Sequence, residues 1–151
     1  MQTGRRLLFF GGVVTAVASL LHVAIVLGGP DWYRFFGAGE AMARRATRGS
    51  LFPIAITLSI AAVLGVWAAY ALSGAGSIRR LPFLRPALIL IASAYLARGI
   101  FGVPVVLFIE DPYTHELRTR MTFMAVTSVI CIGLGVCYAV GAVSLRERAT
   151  Q

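Results

Sequence analysis

Four apolar runs, at residues 7–28, 51–73, 87–109 and 121–145, dominate the chain. Each holds about 22–25 residues, which at about 1.5 Å per residue crosses a hydrocarbon core of about 30 Å. Backbone inside lipid must satisfy its own N–H and C=O groups, and an isolated span does so only as a helix. Composition agrees: 58% of the 151 residues are hydrophobic and 13% charged, and the mean hydropathy is +0.82. Soluble domains carry about 25% charged residues, so too little polar surface remains here to coat a water-soluble globule. The expected fold is all-α, a four-helix transmembrane bundle forming one integral membrane domain over residues 1–151 in the lipid bilayer.

A net charge of +8 and a pI near 10.8 are also the footprint of a nucleic-acid binder. Their placement argues against nucleic acid as a partner, because the basic residues punctuate the apolar runs instead of lining one soluble face. Arg5, Arg6, Arg79, Arg80, Arg85, Arg146 and Arg148 fall on one side of the bundle. Arg34, Arg44, Arg45, Arg48, Arg118 and Arg120 fall on the other, where Asp31, Glu40, Glu110, Asp111 and Glu116 offset them. The side with naked arginines is expected to face the cytoplasm, giving a multi-pass inner (plasma) membrane protein with both termini inside. Arg5-Arg6 followed by Ala16-Val17-Ala18 resembles a signal peptide, but the apolar run continues through Leu27, which favours a retained helix.

The first outer loop reads as an amphipathic helix over residues 31–48, preceded by Pro30 and capped by Asp31. Trp32, Phe35, Phe36, Gly39, Met42, Ala43 and Ala46 share one side. Tyr33, Arg34, Glu40, Arg44, Arg45 and Arg48 share the other, as suits a helix lying along the membrane interface. Gly37 and Gly39 weaken it and allow a bend.

Arg98 is the residue most in need of explanation. A charge near mid-span costs at least about 2.5–3.5 kcal/mol, so it is expected to face the bundle interior beside Ala94, Tyr95 and Gly102. Counted from the outer helix ends, His22, Ser59, Thr127 and Arg98 lie at similar depths, about 9–16 Å. Asp31 and Glu40 form a carboxylate rim above them. Together these six residues outline a polar cavity open to the outer side, suited to an anionic or lipid-like small molecule.

Two rival readings remain. In the first, His22 pairs with Glu40 or Asp31 as the acid and base of a small membrane enzyme, an isomerase, reductase or lipid-modifying activity. In the second, the chain is an assembly subunit without a site. It would then self-associate into a homo-oligomer through the small-residue stripes Ala61-Gly65-Ala69 and Gly133-Cys137-Gly141. No metal or cofactor is implied. His22 and His115 are too few for haem, and Cys131 and Cys137 point to different sides of one helix. Phosphate-loop, Cys-x-x-Cys, His-Glu-x-x-His and Gly-x-Ser-x-Gly patterns are missing from the sequence.

The segment LHVAIVLGGPDWYRFFGAGE (21–40), with YALSGAG at 70–76 and YLARG at 95–99, resembles an uncharacterised group of small four-helix proteobacterial integral membrane proteins. The resemblance covers nearly the whole chain. It implies a bacterial inner-membrane protein and draws attention to His22, Asp31, Glu40 and Arg98, but it carries no substrate.

Overall fold

The computed structural model describes residues 2–147, without the side chains of Arg146 and Glu147, so the Arg146 side chain and all of Arg148 lie outside what is described. Within them the chain forms α1 (Gln2–Gly28), α2 (Pro30–Phe35), α3 (Glu40–Thr47), α4 (Phe52–Ala75), α5 (Leu84–Phe108), α6 (Pro112–Arg118) and α7 (Met121–Glu147). Four of these, α1, α4, α5 and α7, are long and apolar enough to cross a membrane. Helices α2, α3 and α6 gather at one end of the bundle, and the start of α1, the end of α7 and the α4–α5 turn occupy the other.

The spans pair as two antiparallel hairpins, α1 with α4 and α5 with α7; α1 against α7 and α4 against α5 close the ring. Glycines set the close approaches. A Cβ on Gly99 of α5 would lie 2.9 Å from the Ser128 carbonyl oxygen of α7. One on Gly12 of α1 would lie 3.1 Å from Ala71 of α4. The small-residue stripes are used inside the monomer: Ser19 donates to the Ala61 carbonyl beside Gly65, and Gly141 and Cys137 lie against Leu8 and Gly11. Of the stripe on α7, only Gly133 stays open. The self-association faces expected from sequence are therefore largely occupied by α1.

At the centre, four helices share one polar node. Tyr138 Oη lies 3.1 Å from both the Thr15 hydroxyl and the Trp67 carbonyl, and Tyr95 Oη lies 3.1 Å from Thr15 Oγ1. A carbonyl only accepts, so the Tyr138 proton serves Trp67, and the Thr15 and Tyr95 hydroxyls complete the chain. Leu8, Leu88, Ile91 and Leu134 wall this node from lipid.

The loop between α1 and α4 departs from expectation. Instead of one helix over 31–48 there are two, broken at Phe36–Gly39, where Gly37 and Gly39 take φ of +76° and +93°. Those left-handed conformations are open to glycine at little cost and end a helix. Asp31 does not cap; Gly29 holds the N-cap position, and Asp31 pairs with Arg34 one turn on. Tyr33, placed on the polar side by a single-helix projection, is 1% exposed and packs on Ile25 and Ala43. Trp32 and Phe35 do face outward, as do Arg44 and Arg45.

Helix α6 has no counterpart among the sequence expectations. Asp111 caps it in a reciprocal box with Thr114, and Pro112 opens its first turn. Arg118 folds back to donate to the Val106 and Leu107 carbonyls, which satisfies the free end of α5.

Candidate functional site: an arginine-lined groove between α5, α6 and α7

The inward face of α5 runs through Leu88, Ile91, Ala92, Tyr95, Gly99 and Val106, all buried. Arg98 stands about 60° from Tyr95 around the helix, at the edge of this face. Its side chain is exposed, which corrects the interior placement expected from sequence. The space left by Gly102 is filled by the guanidinium of Arg98 itself, which turns along its own helix toward the end bearing α6. A side chain at Gly102 would collide with Arg98 Nη1 and would lie 3.1 Å from Ser128 Oγ.

Arg98 lines a groove of about 400 Å3. Ala97, Phe101, Val105 and Val106 of α5 form one wall, and Phe123 and Met124 of α7 form another. Tyr113, Thr114 and Leu117 of α6, with Phe36 and Gly37 from the α2–α3 break, close the end. The walls are apolar, and Arg98 is the cation among them. The described ion pairs all lie between α1 and α4, on Arg34 and Arg44, and none engages Arg98. Beside it, Ser128 Oγ is buried without a hydrogen-bond partner. Burial pushes the Tyr113 phenol up, and the Arg98 cation partly offsets that shift.

The end of the groove is clasped from both loops. Tyr113 donates to the Gly37 carbonyl at 3.1 Å, and Arg120 donates to the Phe35 carbonyl at 2.8 Å. The Glu40 amide donates to both oxygens of Glu116 at 3.0 Å, so a carboxylate on α6 caps the N-terminus of α3. Hydrogen bonds from Arg34 and Arg44 hold the Glu40 carboxyl down to about 2.

Of the six residues drawn together by depth in the sequence, Arg98 alone lines this groove. Among the described residues His22 bonds only within its own helix: Nδ1 lies 2.8 Å from the Ala18 carbonyl, a contact that requires the proton on Nδ1. Ser59 is exposed and donates to the Ala55 carbonyl. Thr127 donates back to Phe123 and Met124. Asp31 and Glu40 are engaged by Arg34, and Glu40 also by Arg44, so the carboxylates of the supposed acid–base pair are committed to arginines. Depth alone carried no azimuth, and four helices at equal depth present different faces. Sequence reasoning missed Tyr113 and Phe123; the Asp111-Pro112 start of α6 was the available signal.

Comparisons with protein families, curated proteins and solved structures find no match.

Proposed function

We propose that this small membrane protein is a binding or accessory protein whose α5–α6–α7 groove takes an anionic amphiphile, its acyl portion against Phe101, Val105 and Phe123 and its charged head on Arg98. The observation that carries this reading is an arginine without a described ion pair lining an otherwise apolar groove of about 400 Å3. A cation in such surroundings gains most from an anion that arrives with its own hydrocarbon, because both halves of the ligand are then matched. The planar guanidinium offers two parallel donors to a carboxylate or phosphate, which an ammonium does not. In the proposed orientation both termini are cytoplasmic, the membrane is the bacterial inner membrane, and the groove opens toward its outer leaflet.

A long-chain fatty acid and its methyl ester, added to the purified protein in uncharged detergent, test the reading. The acid is expected to raise the thermal midpoint saturably and the ester is not, since only the acid offers an anion. Arg98→Leu is expected to stay folded, because apolar replacement of such a charge is often neutral, and to ignore the acid. Equal responses to acid and ester, or an undiminished response in Arg98→Leu, would sink the proposal.

A further inference from the structure

The opposite end of the bundle holds a second cavity, about 410 Å3, lined by Arg5, Ser73, Gly74, Gly76, Ile78, Arg80, Leu84 and Leu145, of which Arg5, Arg80 and Ser73 bring polar groups. Its construction differs from that of the groove. Arg5 Nε donates to the Ala75 carbonyl at 2.8 Å, which satisfies the end of α4 and fixes the guanidinium plane. That bond leaves the Nη1–Nη2 edge for a two-oxygen acceptor. Gly76 takes φ of +77° as the C-cap of α4, and a Cβ there would lie 2.7 Å from Arg5 Nη2. Glycine at this position thus serves both the turn and the arginine.

The turn that carries Arg80 is pinned in its turn. Ser73 Oγ donates to the Arg79 carbonyl at 3.0 Å and accepts from the Leu81 amide at 2.9 Å, holding residues 79–81 over the end of α4. Leu84, which begins α5, also lines the cavity, so the uncapped start of that helix and the positive end of its dipole lie nearby. On the other side of Arg5 a contiguous cavity of about 460 Å3 is lined by Gln2, Arg6, Phe9, Ala75 and Ser77. Phe9 is 51% exposed on the lipid-facing side of α1, so this cavity runs from two arginines toward the hydrocarbon. Of the six acids, the five at 31–116 lie at the far end of the molecule, and Glu147 ends α7 at this one.

We infer that Arg5 and Arg80, with Arg6 beside them, form a phosphate-binding site for the headgroup of an anionic phospholipid. A fixed Arg5 fork, a second arginine on a pinned turn and an apolar wall at Phe9 match a phosphodiester that stays attached to its acyl chains. The same cations would also accept inorganic phosphate, and the two sources differ in what the apolar exit contributes. The site is independent of the Arg98 groove and does not rest on it.

The test is a titration of the purified full chain in uncharged detergent, read as the thermal midpoint, with short-chain phosphatidylglycerol, short-chain phosphatidylcholine and inorganic phosphate. Phosphatidylglycerol is expected to raise the midpoint saturably at a concentration at least about tenfold below that needed for phosphatidylcholine. Arg5→Gln/Arg80→Gln is expected to lose that preference while keeping its response to a fatty acid at Arg98. Arg80→Gln alone, which removes no described hydrogen bond, is expected to weaken it about tenfold and guards against misfolding of the double variant. A matching shift with inorganic phosphate assigns the site to the free anion, and no shift assigns it to the lipid. Equal half-saturation by both lipids with no phosphate response, or an unchanged preference in Arg80→Gln and the double variant, would overturn the inference.

Discussion

Tyr138 and Arg98 meet opposite demands at neighbouring levels of the bundle. Tyr138 is fully buried, and its hydroxyl is satisfied by Trp67 and Thr15; Arg98 sits at the edge of a helix face with its donors turned into a groove. Tyr138→Phe leaves the Trp67 carbonyl without that donor and is expected to cost about 1 kcal/mol, since interhelical hydrogen bonds in membranes average about 0.6 and reach about 1.7. Reversible unfolding in mixed micelles measures it. Tyr70→Phe, which removes no described hydrogen bond, is the control and should change stability little; equal losses in both variants would remove the node's special role. Read from the sequence, Arg98 was expected inward, and the structure turns it to the edge of the helix face. Ala94, Tyr95 and Gly102 all neighbour Arg98 on a helical projection, which does not carry the packing of Gly99 on Ser128 and the Thr15 bond that go with Tyr95 inward and Arg98 at the edge.

Among the elements, the spans were legible and the loops were not. An apolar run of span length allows few alternatives in lipid, so α1, α4, α5 and α7 fall within a few residues of their expected bounds. The loop 31–48 presented a helical stripe interrupted by two glycines, and the choice between a bent helix and two helices depended on contacts with α6 that no local pattern encodes. Tyr113, Glu116 and Arg120 supply those contacts. The Glu40 carboxyl is depressed to about 2 by Arg34 and Arg44. Its ion pairs therefore contribute fully above the unfolded value of about 4.3 and are lost as pH falls through the folded one. Amide exchange protection over Pro30–Thr47, corrected for intrinsic rates, should hold from pH 7 to about 5 and decline toward about pH 2. In Glu40→Gln it should already be reduced at pH 7. Protection unchanged by acid and by that substitution would show that α6 alone holds the loop.

For the whole molecule, the sequence-visible charge asymmetry and the two cavities describe one polarity. Acids and interfacial helices crowd one end, while Arg5, Arg6, Arg79, Arg80 and Arg85 stand without acids of the described loops at the other. With Cys131 and Cys137 replaced, a cysteine introduced at Arg48 or His115 should react with a membrane-impermeant reagent from outside intact cells, and one at Ser77 should not. The reverse pattern would invert the orientation and leave the bundle as it is. The candidate site was half legible: Arg98 announced itself by the cost of its charge, whereas the groove walls came from α6 and α7 packing around it. Native mass spectrometry of the protein released from mild detergent tests that groove most directly. The wild type should retain one small anionic amphiphile per chain, and Arg98→Leu, equally folded, should emerge without it. A wild type that emerges empty, or the same bound mass in both proteins, would contradict the assignment of Arg98 as the anchor.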